Sequence, residues 1–300
     1  MDCFRQKTLW VILPYFNFCG FKRRRELFIN FVNEIYKNSN LKIIIVEADG
    51  PAPLGKLQAW KHLKFSTKTH TWMKENLINK GFEILPKNWK YAAWIDADIT
   101  FLNENWVSET FQELKKADIV QLWQSAINLG ACGETIKVDR SFGYMAKGSG
   151  TEWTHSDKYG HWHPGYAWAC TRRFYNRTGG LIDWAILGSA DRHMAMAMIG
   201  KVKQSVPGTM HPHYHEMLEE FQTRVKGLEI GWVSGTIIHK WHGSLANRKY
   251  KERWEILTRN KYDPFLDIGT TDEGIIELTA RGKRLEPFLI EYFIGRSEDS

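Results

Sequence analysis

Apolar and polar positions along this chain fall into a repeating order of short apolar runs and amphipathic stretches. Residues 9–13 form a first apolar run that ends at Pro14-Tyr15-Phe16-Asn17, and it predicts a strand. Leu27, Phe31 and Ile35 then recur at helical spacing and predict a helix over 23–38. The run Lys42-Ile43-Ile44-Ile45-Val46-Glu47 is continuously β-branched, as in a strand covered on both faces and therefore parallel to its neighbours. A loop at 49–53 precedes a helix over 69–80, which Gly81 is expected to stop. Tyr91-Ala92-Ala93-Trp94-Ile95 reads as a buried strand running into Asp96. A helix over 106–116 and a strand over 118–123 follow. This β-α-β-α-β order predicts a doubly wound α/β domain.

Beyond residue 128 the pattern weakens. The Gly-, Lys- and Thr-rich stretch 128–160 reads as one or more long loops over the sheet edge. A strand at 165–170, a short helix at 172–177, a helix at 191–200 and a strand at 233–239 come next. Met194, Met196 and Met198 read as core packing rather than a cofactor box. From 247 onward, alternating charged and apolar residues predict one or two helices. We therefore expect residues 1–245 to form one α/β domain with a mixed sheet flanked by helices, and residues 246–300 to pack on it as a helical extension.

Two aspartates one residue apart, Asp96 and Asp98, stand where the buried strand ends. A buried strand seldom finishes in two carboxylates unless something positive meets them. At the C-terminal edge of an α/β sheet that partner is often a ligand or metal. Two hard oxygen donors suit Mg²⁺ or Mn²⁺ carrying a diphosphate, although the pair also fits a solvated strand-end turn. The formal charge of +7 favours an anionic ligand. Basic residues are spread along the chain apart from Lys22-Arg23-Arg24-Arg25, which reads as a solvated helix start or as a group that attracts an anionic donor or membrane. With neither zinc-finger spacing nor an aromatic-basic sheet motif, nucleic acid is not expected as a partner. The four cysteines lack metal-ligand spacing and a disulfide framework, and so point to a reducing, cytoplasmic compartment. The run 9–18 is too short to span a bilayer, which leaves peripheral contact as the only membrane association expected.

Four segments in order give the chain a family resemblance: Val11-Ile12-Leu13-Pro14-Tyr15-Phe16-Asn17; Lys74-Glu75-Asn76-Leu77 leading to Trp94-Ile95-Asp96-Ala97-Asp98; Gly165-Tyr166-Ala167-Trp168-Ala169 with Gly179-Gly180-Leu181-Ile182-Asp183 and Gly188-Ser189-Ala190-Asp191; and Ile237-Ile238-His239-Lys240-Trp241-His242-Gly243. Together they resemble metal-dependent glycosyltransferases of the GT-A fold, in particular inverting family 2 and β-1,4-galactosyltransferase-like enzymes, and they are similar to uncharacterised phage and large-virus transferases. The resemblance implies a hexosyl- or pentosyltransferase in the cytoplasm of a cell or infected host cell. It would use Mn²⁺ or Mg²⁺, a nucleoside-diphosphate sugar donor (a UDP-sugar) and a glycan acceptor.

It also implies roles. Asp98 is a direct metal ligand and Asp96 contacts the ribose, or the metal through water. His239 is a third ligand with His242 its competitor, or else a hydrogen-bonded strand-end histidine. Asp191 is the general base, or an N-cap; Asp183 is a weaker alternative. Such enzymes carry an acidic pair at this point, where this chain has Ala190-Asp191. Pro14 and Asn17 belong to the nucleotide-binding turn, although Asn17 could merely cap it. Glu47 could accept hydrogen bonds from a base edge, and Lys74 could pair with a phosphate. Gly165 and Gly180 would let backbone approach the donor sugar, or serve as turn glycines. Trp162, Tyr166 and Trp168 are either sugar-stacking platforms or core. The cluster His211-Pro212-His213-Tyr214-His215 reads as an acceptor-loop or surface feature rather than a second metal site. Rival readings are a non-catalytic carbohydrate-binding protein on a degenerate transferase fold and another metal-dependent nucleotide enzyme. The first turn lacks the glycine-rich basic loop of a pyrophosphorylase, and a two-metal nuclease needs more carboxylates.

Overall fold

A computed structural model describes residues 7–150 and 162–300 of the chain. The elements in order are β1 (Leu9–Tyr15), α1 (Lys22–Ile35), β2 (Leu41–Ala48), β3 (Lys61–Phe65), α2 (Lys74–Glu83), β4 (Tyr91–Ile95), β5 (Ile99–Phe101) and α3 (Trp106–Glu113). Next come β6 (Ile119–Gln121), β7 (Ser125–Leu129), β8 (Thr135–Arg140), β9 (Ala167–Thr171), α4 (Arg172–Thr178), α5 (Ala190–Met198), α6 (Pro212–Val225), β10 (Ile230–Trp232) and β11 (Thr236–His239). The chain finishes with α7 (Glu252–Arg259), the pair β12 (Ile268–Thr270) and β13 (Ile276–Leu278), and α8 (Glu286–Gly295).

A seven-stranded sheet in the order β10-β6-β9-β4-β1-β2-β3 forms the centre. β1 is parallel to β2 and β4, whereas β9 runs antiparallel to both β4 and β6. Alternation along β1 and β2 explains how this sheet is covered. Ile12, Ile44 and Val46 face one core, with α2 and the helices from α4 onward. Val11, Leu13, Ile43 and Ile45 face the other, with α1 and α3. The mixed sheet flanked by helices, with helical elements at the C-terminal end, is the GT-A-like doubly wound architecture expected. Leu257, Tyr262, Leu289 and Phe293 from the extension join the same core as Ile12 and Leu77.

Several local expectations are corrected. The 69–80 helix is α2, which starts at Lys74 and continues to Glu83. Gly81 does not stop it: a Cβ there would lie 2.4 Å from Ile12 Cγ2, so this glycine lets α2 seat against β1. The loop expected at 128–160 contains instead the antiparallel pair β7–β8, part of a second sheet in the order β5-β11-β7-β8. Residues 151–160 of that stretch lie outside the described residues. The His211–His215 stretch is not a loop. His211 caps α6 and Pro212 supplies its first turn, where a missing N–H costs nothing. Among the described residues no helix is long and apolar enough to cross a membrane.

Candidate metal centre

β4 ends in Ile95, after which the chain turns through Asp96, Ala97 and Asp98 into β5. β11 pairs antiparallel with β5 and sets His239 opposite Ile99, beside the turn. The loop after β11 then returns His242 to the same point. Three ligand atoms converge there. Asp98 Oδ2 lies 2.9 Å from His242 Nε2 and 3.7 Å from His239 Nε2, and the two Nε2 atoms are 3.3 Å apart. Donors about 2.1 Å from one divalent ion sit roughly 3.0–3.5 Å from each other, so the three distances straddle the spacing an ion imposes. The sequence left His239 and His242 as competitors; the structure brings both to Asp98.

Two further observations fit the donor set to a cation. Asp98 Oδ1 is buried with no hydrogen-bond partner, although a buried carboxylate oxygen is costly to leave alone. In addition, Arg248 Nη2 lies 2.8 Å from His242 Nε2. Arginine only donates. If His242 Nε2 carries a proton it satisfies Asp98 and opposes Arg248; if it carries a lone pair it satisfies Arg248 and opposes Asp98. No placement of protons serves both contacts, whereas a divalent ion facing all three lone pairs serves the carboxylate and both imidazoles together. Burial pushes the Asp98 carboxyl up, but the neighbouring imidazoles outweigh it and hold the group well below its usual range. Burial likewise lowers His239, which favours the neutral ligating form.

The centre opens into a cavity of about 130 Å³ whose lining includes Pro14, Trp72, Lys74, Asp96, Arg24, Arg248 and Arg296. Asp96 is not part of the three-atom cluster; Lys74, from the first turn of α2, forms an ion pair with its Oδ1. Burial raises Asp96 despite that lysine. Glu75, beside Lys74, is buried and accepts a hydrogen bond from Trp72 Nε1 at 3.1 Å. Burial lifts its pKa to about 8.

Asp191 sits in the first turn of α5 and within electrostatic reach of Lys74, Glu75 and Asp96. It is not the N-cap. That position belongs to Ser189, in a left-handed conformation with φ 79°, while Asp191 Oδ1 accepts from the Arg192 backbone N–H at 2.7 Å. A Cβ at Gly165 would lie 2.8 Å from His163 Cε1 and 3.2 Å from Asp191 Oδ2, and neither Gly165 nor Asp191 lines the cavity.

Other residues singled out from the sequence lie elsewhere. Glu47 is 2% exposed; its oxygens accept from the Leu54 backbone N–H at 2.9 Å and meet His62 Nε2 at 2.7 Å, which leaves no edge for a base. Asn17 uses its amide on the turn itself, accepting from Phe21 N–H at 3.0 Å and donating to Phe21 O at 2.9 Å. Gly180 faces Asn79, outside the cavity lining. Asp183 accepts from Asn79 at 3.0 Å and is likewise outside that lining. Tyr166 stacks on His163 at 4.3 Å and donates to Asn128 Oδ1 at 2.7 Å, a packed wall beneath His239. Trp168 and Trp162 are buried, the first donating to Pro164 O at 2.7 Å and the second packed on Phe142.

Lys22–Arg25 is not simply solvated. Arg23 donates to Trp241 O, Arg24 to Glu298 and Arg25 to Pro53 O. A second cluster, His211, His213 and Asp263, joins α6 to the extension. There Asp263 Oδ1 meets His213 Nδ1 at 2.9 Å and accepts from Phe265 N–H at 3.0 Å, and Arg281 lies 3.6 Å from Oδ2. The carboxylate is thus already surrounded by cationic and N–H donors.

Trp72, Glu75, Arg248, Arg296 and Glu298 were missed as site residues in the sequence. Of these only Glu75 stood inside a motif, and the last three belong to the extension.

No protein-family model matches the chain, and no curated protein matches it. Solved structures are similar to it. A mutant of Drosophila β1,4-galactosyltransferase 7 in complex with manganese, UDP-Gal and xylobiose is 13% identical, over 94% of this chain and 98% of that one, with a TM-score of 0.45. The mannosyltransferase PcManGT from Pyrobaculum calidifontis, in complex with GDP-Man and Mn²⁺, is 10% identical over 98% and 74%, with a TM-score of 0.48. Glucosyl-3-phosphoglycerate synthase from Mycobacterium tuberculosis, with Mn²⁺, UDP and phosphoglyceric acid, is 11% identical over 87% and 78%, with a TM-score of 0.41.

Proposed function

We propose that this chain is a metal-dependent glycosyltransferase that moves a sugar from a nucleoside-diphosphate sugar, a UDP-sugar, to a hydroxyl of a glycan, with inversion. The observation that carries the reading is the convergence of Asp98, His239 and His242 at the mouth of a cavity that also holds Lys74, Arg24, Arg248 and Arg296. Asp98, His239 and His242 would hold Mn²⁺, which imidazole donors favour over Mg²⁺. When bound, the ion supplies positive charge for the departing diphosphate.

The chain's own residues account for the rest. Arg248, once released from His242, and Lys74, released from Asp96, would meet the diphosphate oxygens. Asp191 Oδ2, beside Gly165, takes the acceptor hydroxyl proton as the acceptor oxygen bonds to the anomeric carbon. The bond from that carbon to the diphosphate breaks, and its electron pair leaves with the nucleoside diphosphate. Trp72, held through Nε1 by Glu75, lines the same cavity with the Arg296 guanidinium over its ring.

The test is calorimetric titration of UDP, GDP and a panel of their sugars with Mn²⁺ and with chelator, on the wild-type chain, Asp98→Asn and Asp191→Asn. We expect metal-dependent binding of one nucleotide, lost in Asp98→Asn. In Asp191→Asn binding should be kept, and turnover with a found acceptor should fall by about 10²-fold or more. Absence of nucleotide binding under every condition would overturn the proposal and leave a glycan-binding role.

A further inference from the structure

The residues after α8 turn back to the opposite end of the chain. Asp299 accepts from the backbone N–H groups of Lys22 at 3.0 Å and Arg23 at 2.7 Å. It thereby serves the start of α1, whose N-cap Phe21 makes no side-chain cap bond. Trp241 Nε1 donates to Ser300 O at 3.1 Å. Just before these anchors stands Glu298, 2% exposed. Arg24 grips it with two bonds of 2.7 and 2.9 Å, and Arg296 Nε donates to it at 2.7 Å. Arg24 also donates to Phe16 O at 3.0 Å, which ties the group to the turn after β1.

A carboxylate so deeply buried needs such partners, but two guanidinium groups exceed what one carboxylate requires. The remaining neighbour gives the arrangement its sense. Glu298 Oε2 lies 3.7 Å from His242 Nδ1, while Nε2 of the same ring faces Asp98. A metal on Nε2 leaves the ring proton on Nδ1, the nitrogen that faces Glu298. Ligating histidines commonly give that other N–H to a carboxylate, which sets ring orientation and raises ligand basicity.

We propose that Glu298 is a positioning residue of the metal centre. It would hold His242 by Nδ1 and be fixed itself by Arg24 and Arg296. This rests on the metal-centre reading above, and it makes the 246–300 region part of the centre rather than an appendage.

The experiment is Mn²⁺ titration of the full chain, followed by calorimetry and by manganese electron paramagnetic resonance, without nucleotide. We expect Glu298→Gln to lower Mn²⁺ affinity about 10- to 100-fold. Asp299→Asn loosens the same segment without touching His242, and should stay within about threefold of wild type. Glu298→Asp keeps the charge for the two arginines but withdraws the oxygen from His242, so it should also bind Mn²⁺ more weakly even if Glu298→Gln fails to fold. Nitrogen-correlated NMR of the Zn²⁺-loaded wild type should show His242 protonated at Nδ1. Wild-type affinity in both Glu298 variants would overturn the positioning role, as would an equal loss in Asp299→Asn. A wild-type chain that binds no divalent ion would instead overturn the metal centre itself.

Discussion

Gly81→Ala adds one methyl group at the tightest helix–sheet contact near the site. Its Cβ would meet Ile12 Cγ2 at 2.4 Å, Cγ1 at 3.2 Å and Cδ1 at 3.3 Å. Carbon atoms pack at about 3.5–4.0 Å, so the closest contact is short by about 1 Å. Ile12 has no room to yield: it is 0% exposed, and β1 is hydrogen-bonded on both sides, to β2 and β4. Overpacking of this kind costs about 1–3 kcal/mol, and alanine recovers roughly 1 kcal/mol of helix propensity. A contact this short takes the upper part of that range, about 2–3 kcal/mol, which leaves a net loss of about 1–2 kcal/mol, or roughly 2–3 °C in Tm for a chain of 300 residues. The control is Gly208→Ala, where nothing lies within 4 Å of the added Cβ and stability should hold or rise slightly. Because α2 carries Lys74 in its first turn while Asp98, His239 and His242 sit elsewhere, the proposed nucleotide affinity should drop with Mn²⁺ affinity unchanged. Thermal unfolding of both variants decides it: a Gly81→Ala chain as stable as wild type means that α2 is free to shift and that the packing argument fails.

Two other outcomes follow from particular contacts. Arg248→Ala removes the donor that a bound ion must displace from His242, so Mn²⁺ affinity without nucleotide should rise by about fivefold, from a contact worth roughly 1 kcal/mol, while nucleotide diphosphate binding weakens; unchanged or weaker Mn²⁺ binding refutes this. His193 is wholly buried between Ser205 and Tyr214, and burial lowers its pKa to about 3. The unfolded ring takes up a proton near pH 6.5 that the folded one refuses. Its contribution to stability is therefore complete above about pH 6.5 and is lost as pH falls toward 3, by on the order of 4–5 kcal/mol. His193→Gln should flatten urea-measured stability against pH across that window, and an unchanged slope counts against it.

The central strands were legible because β1, β2 and β4 are near-continuous apolar runs, and Asp96 and Asp98 stood out because charge follows such a run so abruptly. Gly81 misled because a glycine late in a helical pattern has the same local look whether it ends the helix or admits a neighbouring strand. α6 carried a readable signal in Leu218, Phe221 and Val225, with Pro212 at its start, but the three histidines drew the reading toward an acceptor loop. The β7–β8 pair was hidden by polar residues, since β8 is an edge strand with one mostly exposed run. Glu298 and Arg248 left no local trace at all: their partners are 274 and 6 positions away, and only the fold brings Glu298 to Arg24.

The reversed strand β9 has an evolutionary consequence. Because it runs against β4 and β6, β9 starts at the edge of the sheet where those strands end, so the chain leaves that edge at Leu122 and is back there at Tyr166. The two ends of that excursion are fastened to neighbouring backbone, Leu122 N–H to Ala167 O at 3.0 Å and Asp96 N–H to Tyr166 O at 2.7 Å. Between those ends β7 pairs with β11 and β8, so added residues cost little in the turn between β7 and β8, roughly 0.6 kcal/mol for each doubling of a flexible loop. Descendants of this chain could therefore trade one insertion for another there, changing the surface beside the cavity while the sheet and Asp98, His239 and His242 are inherited intact.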